Sequence, residues 1–463
     1  MTNREKGTRK YRRISYVLGG VAIAVVIVGI LSFALKKFEG APPEFKLTPP
    51  VESIGLSQTI QGVARDENSG LKRLWIALLQ GGNEVVLLDK SFESTGWLGE
   101  GMVHTHKVSV PIHVKEEGLS DGAAILRVNL SDYSYRNWWD GNRTYQEFPV
   151  VIDTQPPTIE ILSRQHNLNQ GGAGLAVYSI SEPVDSTGMW VGDQFFKGYN
   201  GYFQEVNRYV VFFALSHAMG RDTQLHISAT DRAGNTSKKG IYHYINEKNF
   251  PKDTLRVSDG FLRQKLPEFE PFPLPGPPPD SLVEKFVAIN RDLRVINYET
   301  IQEVCKQSNP EKYWEGVFLR LPGSARKAGF ADRRRYVYNG KVVDNQVHLG
   351  IDLASTAQSP VPAANTGRVC FANDLGIYGK TVIIDHGLSL FSMYSHLSRV
   401  DVTPEEMVSK GDIIGLTGTS GMAGGDHLHF SMLVQGTFVD PLEWWDENWI
   451  NHNITNKLAD PGA

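Results

Sequence analysis

Cysteine is scarce. The 463 residues contain two, Cys305 and Cys370, so neither a disulfide framework nor a four-cysteine metal site is available. An oxidising compartment would permit the two to pair without requiring it, and free, largely buried thiols are the expectation. Charge of one sign is lacking too. Lys and Arg number 47 against 51 Asp and Glu, a net charge of −4, which gives no general pull toward nucleic acid and sets that partner aside. Beyond Leu35 no apolar run is long enough to cross a bilayer. What is present is an ordinary globular composition, 41% hydrophobic and 21% charged, in a chain too long for one core. About three domains are expected.

The charge balance is uneven at the start. Residues 1–14 carry Arg4, Lys6, Arg9, Lys10, Arg12 and Arg13 against Glu5, and Ser15 to Leu35 then run without a charge until Lys36 and Lys37. At about 1.5 Å per helical residue this run covers roughly 30 Å, the thickness of a bilayer core. Residues 15–35 are expected to be an uncleaved single-pass helix in the bacterial cytoplasmic (inner) membrane. The basic segment 1–14 would then stay cytoplasmic and the rest of the chain would lie on the periplasmic or extracellular side. Ser32-Phe33-Ala34 offers a small-x-small cleavage site, but the apolar run exceeds that of a signal peptide.

Two double prolines, Pro42-Pro43 and Pro156-Pro157, each lead into an alternating strand and mark domain starts. Leu126, Val128 and Leu130 alternate before Ser131-Asp132, as Leu225, Ile227 and Ala229 do before Thr230-Asp231-Arg-Ala-Gly-Asn235. Period-2 patterning with turn signals predicts β-sandwiches over 42–153 and 156–250. The Ala229 to Asn235 run resembles a late strand and turn of bacterial immunoglobulin-like repeats. Seven prolines between 267 and 279 predict an extended linker over 265–280. Ser281-Leu-Val-Glu284 reads as a capping box, with Leu282, Phe286, Ile289, Leu293 and Ile296 at helical spacing behind it and a second short helix over 299–307. This helical segment, 281–315, either packs structurally or partly covers the front of the next domain. From Val317 to Leu442 strands alternate with glycine-rich turns. The fold class is mainly β and multidomain.

Five of the 13 histidines fall between 348 and 429. His348-Leu-Gly-Ile-Asp352 places an imidazole and a carboxylate four residues apart, and His427-Leu-His429 places two imidazoles on one strand face; both are zinc-suited sets. Residues four apart in a straight strand lie about 13 Å from each other, so Gly350 must supply a bend. His104-Thr-His106 has the same H-x-H spacing, but alternation puts it on a face with Met102, Val108 and Val110, a strand of the first sandwich. His386, in Asp-His-Gly, reads as a turn histidine bonded to backbone.

The order of motifs carries more than any one of them. Val347-His348-Leu-Gly-Ile-Asp352 is followed by Gly367-Arg-Val369, Tyr378-Gly-Lys-Thr-Val382, Asp385-His-Gly387, Tyr394-Ser-His396-Leu-Ser398, Lys410-Gly-Asp-Ile-Ile-Gly415, Asp426-His-Leu-His-Phe430 and Val439-Asp-Pro441. This series resembles the lysostaphin-type (LytM-type) zinc metallo-endopeptidases that cut peptidoglycan cross-links, over about 315–445. The resemblance implies an antiparallel β peptidase domain at 316–446, followed by a tail at 447–463. It also implies that His348, Asp352 and His429 hold zinc (Zn2+) while His396 and His427 flank the water it activates. With no His-Glu-x-x-His in the chain, a histidine must take the proton. Tyr338, Tyr378 and Tyr394 are candidates for the groove wall. All five positions are filled, which favours an enzyme over a regulator that binds and activates another wall hydrolase. The β-sandwiches would act as a spacer and could meet an envelope protein partner.

Overall fold

The computed structural model describes residues 3–96, 99–276 and 280–459; Pro277–Pro279 of the expected linker and the tail from residue 460 lie outside the described residues, as do the side chains of residues 3–14. The chain forms two compact units, one over residues 1–156 with 232–235 and the other over 157–231 with the rest. In the first, a helix runs over Asn3–Lys37. Its stretch Ser15–Leu35 has a mean hydropathy of 2.7 and no part buried in protein, as a membrane span requires.

Behind the helix, alternation does what the sequence predicts. In Thr105–His113, Val108, Val110 and Ile112 turn inward between exposed residues, and in Gly122–Asp132 the inward set is Ala124, Leu126, Val128, Leu130 and Asp132. One sheet holds Glu44–Leu47, Ser57–Arg65 and Thr105–His113 in that order. The other holds Ser53–Ile54, Arg143–Ile152, Gly122–Asp132, Leu71–Gln80 and Asn83–Ser91. Side chains from both sheets, among them Ile60, Leu74, Ile76, Ile112 and Leu126, form one core.

The second unit begins with two four-stranded sheets. One is centred on the antiparallel pair Ala173–Ile180 and Arg208–Ala214, the other on Val184–Val191 and Leu225–Asp231. They share a core with the C-terminal region. Phe212 lies 6.2 Å from Trp444, which in turn meets Trp314 at 5.6 Å. The Glu443 carboxylate accepts hydrogen bonds from Asn169 Nδ2 and the Ala173 amide, both at 2.8 Å. The short helices after Trp445 pack Ile450, Ile454 and Leu458 inward, and Lys457 Nζ donates to Leu175 O.

The C-terminal sheet is antiparallel, in the order Ala325–Ala328, Ile351–Ala354, Leu428–Val434, Leu390–Leu397, Lys380–Asp385, Gly367–Asp374 and Met407–Val408. Beside it, Arg333–Tyr338 pairs antiparallel with Lys341–Val347 and, on its other edge, parallel with Lys252–Val257. Two local readings need correction. The proline-rich stretch is not extended from its start, because Asp259–Lys265 is an α-helix and Leu266–Phe269 a 3₁₀ turn with Pro267 in its first turn, where no amide donor is needed. Leu262, Leu266 and Phe269 are buried there. The two helices expected after Ser281 are one run from Leu282 to Val304. No glycine or proline interrupts it, and its π turn at Ile289–Leu293 coincides with Arg294 bonding back to Asn290 O and Oδ1. Ser281 forms the expected capping box with Glu284.

Candidate functional site

Asp352 and His429 sit directly opposite each other on the paired strands Ile351–Ala354 and Leu428–Val434, and His348 reaches the same point from the loop before them. The loop can come this close because residue 350 is glycine. A Cβ there would lie 2.5 Å from both His429 Nε2 and Ser431 Oγ, so the bend predicted at Gly350 is also a close approach that only glycine allows. His348 Nε2, Asp352 Oδ1 and His429 Nδ1 form a triangle with sides of 2.9, 2.9 and 3.0 Å. The edge of a tetrahedron of zinc ligands is about 3.3 Å, so the triangle is of the size one ion would occupy after slight expansion.

Hydrogen bonds fix which nitrogen of each ring faces inward. His348 Nδ1 donates to Gly329 O at 2.8 Å, leaving Nε2 as the lone-pair nitrogen. Ser431 Oγ donates to Leu349 O and therefore accepts from His429 Nε2 at 3.1 Å, leaving Nδ1. His396 Nδ1 donates to Ser420 O and His427 Nδ1 to Gly425 O, both at 2.8 Å, so both rings turn Nε2 toward the site, as a lone-pair nitrogen in neutral His396 and as an N–H donor in His427 when it is charged. Their centroids are 4.9 Å apart, and that of His396 is 5.7 Å from His429. His396 has φ 63°, a left-handed backbone uncommon for histidine. The donor set, two neutral imidazole nitrogens and one carboxylate with each ring's far side anchored, fits zinc.

Charge agrees with this arrangement. Burial opposes ionisation of Asp352, but the imidazoles of His348, His427 and His429 around it outweigh burial and hold the carboxyl well below the usual carboxylate range. Its second oxygen accepts from Arg334 Nη2 at 2.8 Å. Burial, with His427 and His429 beside it, keeps His396 well below the ordinary histidine value, and burial takes His429 down to about 4. Burial also works against charging His427, yet the Asp352 carboxylate prevails and the imidazole lies above its ordinary value.

All five predicted residues line one cavity of about 340 Å³. Of the three tyrosines proposed for its wall, Tyr378 lies there, 5.6 Å from the His429 ring. Tyr394 is in the core, its hydroxyl accepting from the Ala364 amide, and Tyr338 bonds Asp259. His386 is fully buried away from the cavity, bonded to Thr366 O and Ser392. His106 stands on its strand beside Phe92, while His104 bonds Asp66 O. Sequence reasoning missed part of the lining, Leu255, Phe261 and Arg334, while Phe286 and Arg294 belong to the segment 281–315 expected to pack on or partly cover the next domain. Only the Arg333-Arg334-Arg335 run was a local signal for any of the three missed.

Residues 346–441 match Peptidase family M23. The chain is 31% identical over 130 residues to the peptidoglycan DD-endopeptidase ShyA of Vibrio cholerae, covering 27% of this chain and 30% of that protein. It is 35% identical over 97 residues to the DD-carboxypeptidase/endopeptidase Mpg of Neisseria meningitidis, covering 21% of this chain and 22% of that one. Among solved structures it is similar to the catalytic domain of lysostaphin from Staphylococcus simulans, at 26% identity over 28% of this chain and 96% of that one, with a TM-score of 0.24. The matched region spans less than a third of the length of these two curated relatives.

Proposed function

We propose that the protein is a membrane-anchored zinc endopeptidase that hydrolyses peptide cross-links of bacterial peptidoglycan, a reading supported by the match of residues 346–441 to Peptidase family M23 and by the four histidines and the aspartate that share one cavity. The observation that carries this reading is the triangle of His348 Nε2, Asp352 Oδ1 and His429 Nδ1, each an acceptor aimed at a common point. These three residues would hold zinc, which when bound supplies Lewis acidity to the scissile carbonyl and lowers the pKa of the attacking water. His396, neutral and with Nδ1 committed to Ser420 O, offers Nε2 to take the proton from that water as the C–O bond forms. The proton then passes to the leaving nitrogen as the C–N bond breaks. His427 Nε2, 3.5 Å from Asp352 Oδ1, is on hand to hydrogen-bond the developing oxyanion. Arg256, Arg294 and Arg334 line the same cavity, and stem-peptide carboxylates suit that positive wall.

The helix containing Ser15–Leu35 would fix the protein in the inner membrane with both β regions and the peptidase domain outside the cytoplasm. The test is digestion of purified peptidoglycan with the full chain, followed by mass spectrometry of the new termini. His429→Ala and Asp352→Ala should lose zinc, whereas His396→Ala should keep zinc and the fold while losing about 10² to 10⁴ in rate. Full zinc in the His429 variant would refute the ligand assignment, and intact cross-links after wild-type digestion would refute the activity.

A further inference from the structure

Three carboxylates meet inside the first unit, far in sequence from the peptidase residues. Glu39 follows the membrane helix, Asp66 follows strand Ser57–Arg65, and Asp132 ends strand Gly122–Asp132. They are 8%, 4% and 0% exposed, and one oxygen from each lies within 4.8 Å of the others. Backbone and amide donors hold them in place. Asp66 Oδ1 accepts from the Asn68 and Gly70 amides. Asp132 Oδ1 accepts from the Ser134 and Asn142 amides and Oδ2 from Asn142 Nδ2. Glu39 Oε1 accepts from the Ser69 amide at 2.8 Å.

These bonds leave acceptors over. Glu39 Oε2 is buried and has no hydrogen-bond partner among the described residues, and the same is true of Ser69 Oγ. An unpaired carboxylate oxygen in a residue more than nine-tenths buried is costly unless something positive meets it. The adjacent cation feels the Glu39 charge but makes no hydrogen bond to it: Lys37 Nζ donates to Gly99 O at 2.5 Å and lies over the Tyr135 ring. Among the described residues no ion pair reaches any of the three carboxylates.

We propose that Glu39, Asp66 and Asp132 bind a calcium ion that ties the end of the membrane helix to the first β unit. The donor set selects the ion. Ca2+ is held by several carboxylate and carbonyl oxygens supplied by the protein itself, whereas Mg2+ dehydrates reluctantly and keeps most of its waters, and an all-oxygen set does not suit zinc. Ligands from three distant segments would make the ion a cross-link between the membrane exit and both sheets.

The test uses the full zinc-loaded chain in detergent, freed of calcium by dialysis and titrated with CaCl2. Uptake is followed by equilibrium dialysis and stability by the denaturation midpoint. One ion per chain should bind with a dissociation constant of about 1 mM or tighter, as in extracellular calcium modules, and should raise the midpoint. Asp66→Asn with Asp132→Asn should weaken uptake at least about tenfold, the cost of two lost charged ligands at the lower end of their range. Glu39→Gln, which alters a residue outside the sheets, should weaken it too and serves if the double variant does not fold. His429→Ala should leave calcium uptake unchanged. Absence of saturable uptake by the wild type, uptake unaffected by Glu39→Gln, or magnesium bound as tightly would each overturn the proposal.

Discussion

Glu443 joins the sheets of residues 157–231 to the catalytic region, and its protonation should set a pH dependence of stability. Its carboxylate accepts from Asn169 Nδ2 and the Ala173 amide, with Asp440 and Lys248 nearby, but burial dominates and pushes its pKa from the ordinary 4.5 up to about 7. An acid with a raised folded pKa binds protons more tightly folded than unfolded. Stability is therefore fullest below pH 4.5, falls as pH rises through the window from 4.5 to about 7, and is flat above it. The whole displacement corresponds to about 3 kcal/mol. Glu443→Gln removes the titration while keeping one acceptor oxygen for the two donors. The assay is urea denaturation of zinc-loaded wild type and variant at pH 5, 6, 7 and 8, taking the wild-type minus variant difference so that zinc release at low pH cancels. That difference should move against the wild type by about 2.5 kcal/mol across the series, the remainder being lost already below pH 5. Parallel pH profiles for the two proteins would refute the reasoning.

Arg334→Met removes the donor to Asp352 Oδ2 and should weaken zinc binding about 10- to 100-fold, read by chelator competition; unchanged affinity would show the contact to be idle. Cys305 is buried and Cys370 half-buried, both as free thiols whose pKa burial pushes up. Thiol counting without reductant should therefore give two after denaturation and almost none before, and no free thiol in the denatured chain would mean the two had paired. Protease added to intact spheroplasts should digest the chain beyond residue 40, whereas protection would reverse the proposed orientation.

The parts of the protein that were legible in the sequence are those whose signal is local. The charge-free run of the N-terminal apolar helix, the alternation in Gly122–Asp132, the capping box at Ser281 and the spacings His348 to Asp352 and His427 to His429 each lie within one short stretch of chain. What was not legible depends on segments that meet only after folding. Lys252–Val257 pairs with Arg333–Tyr338 across the proline-rich stretch, and parallel pairing leaves no turn signal between partners. Arg334 looks like one of three surface arginines until Asp352 is brought opposite it. Glu443 reads as a helix-terminal acid, and only the approach of Asn169 and Ala173 shows that it is buried. The prolines misled for a related reason: their rule concerns the local backbone, whereas Leu266 just before the first of them and Phe269 just after it are drawn inward by a core formed elsewhere in the chain.

The same distinction bears on the segment from Lys252 to Val304, whose helical part falls in the stretch 281–315 for which the sequence left two roles open, a structural support or a cover of the groove. The geometry joins them. Leu255, Phe261, Phe286 and Arg294 line the cavity beside the four histidines and Asp352, yet Leu262, Leu266, Phe269, Phe286, Ile289, Leu293 and Ile301 from the same segment are buried in the core. At about 1.5–3 kcal/mol for each buried side chain, their gross contribution is roughly 10–20 kcal/mol, comparable with the about 5–15 kcal/mol net stability of a whole domain. A loosely held flap would show few buried apolar contacts. This segment instead contributes a strand to the Arg333–Tyr338 sheet edge, a second anchor through Asn290 and Arg291 to the buried Asp344 carboxylate, and a backbone contact from Lys265 Nζ to Thr419 O. Its side chains face the groove because the segment is part of the fold that forms the groove. The proposed metal ligands thus lie between 348 and 429, while much of the cavity lining comes from outside the M23-matched region, so substrate preference could change in this architecture without altering those three residues.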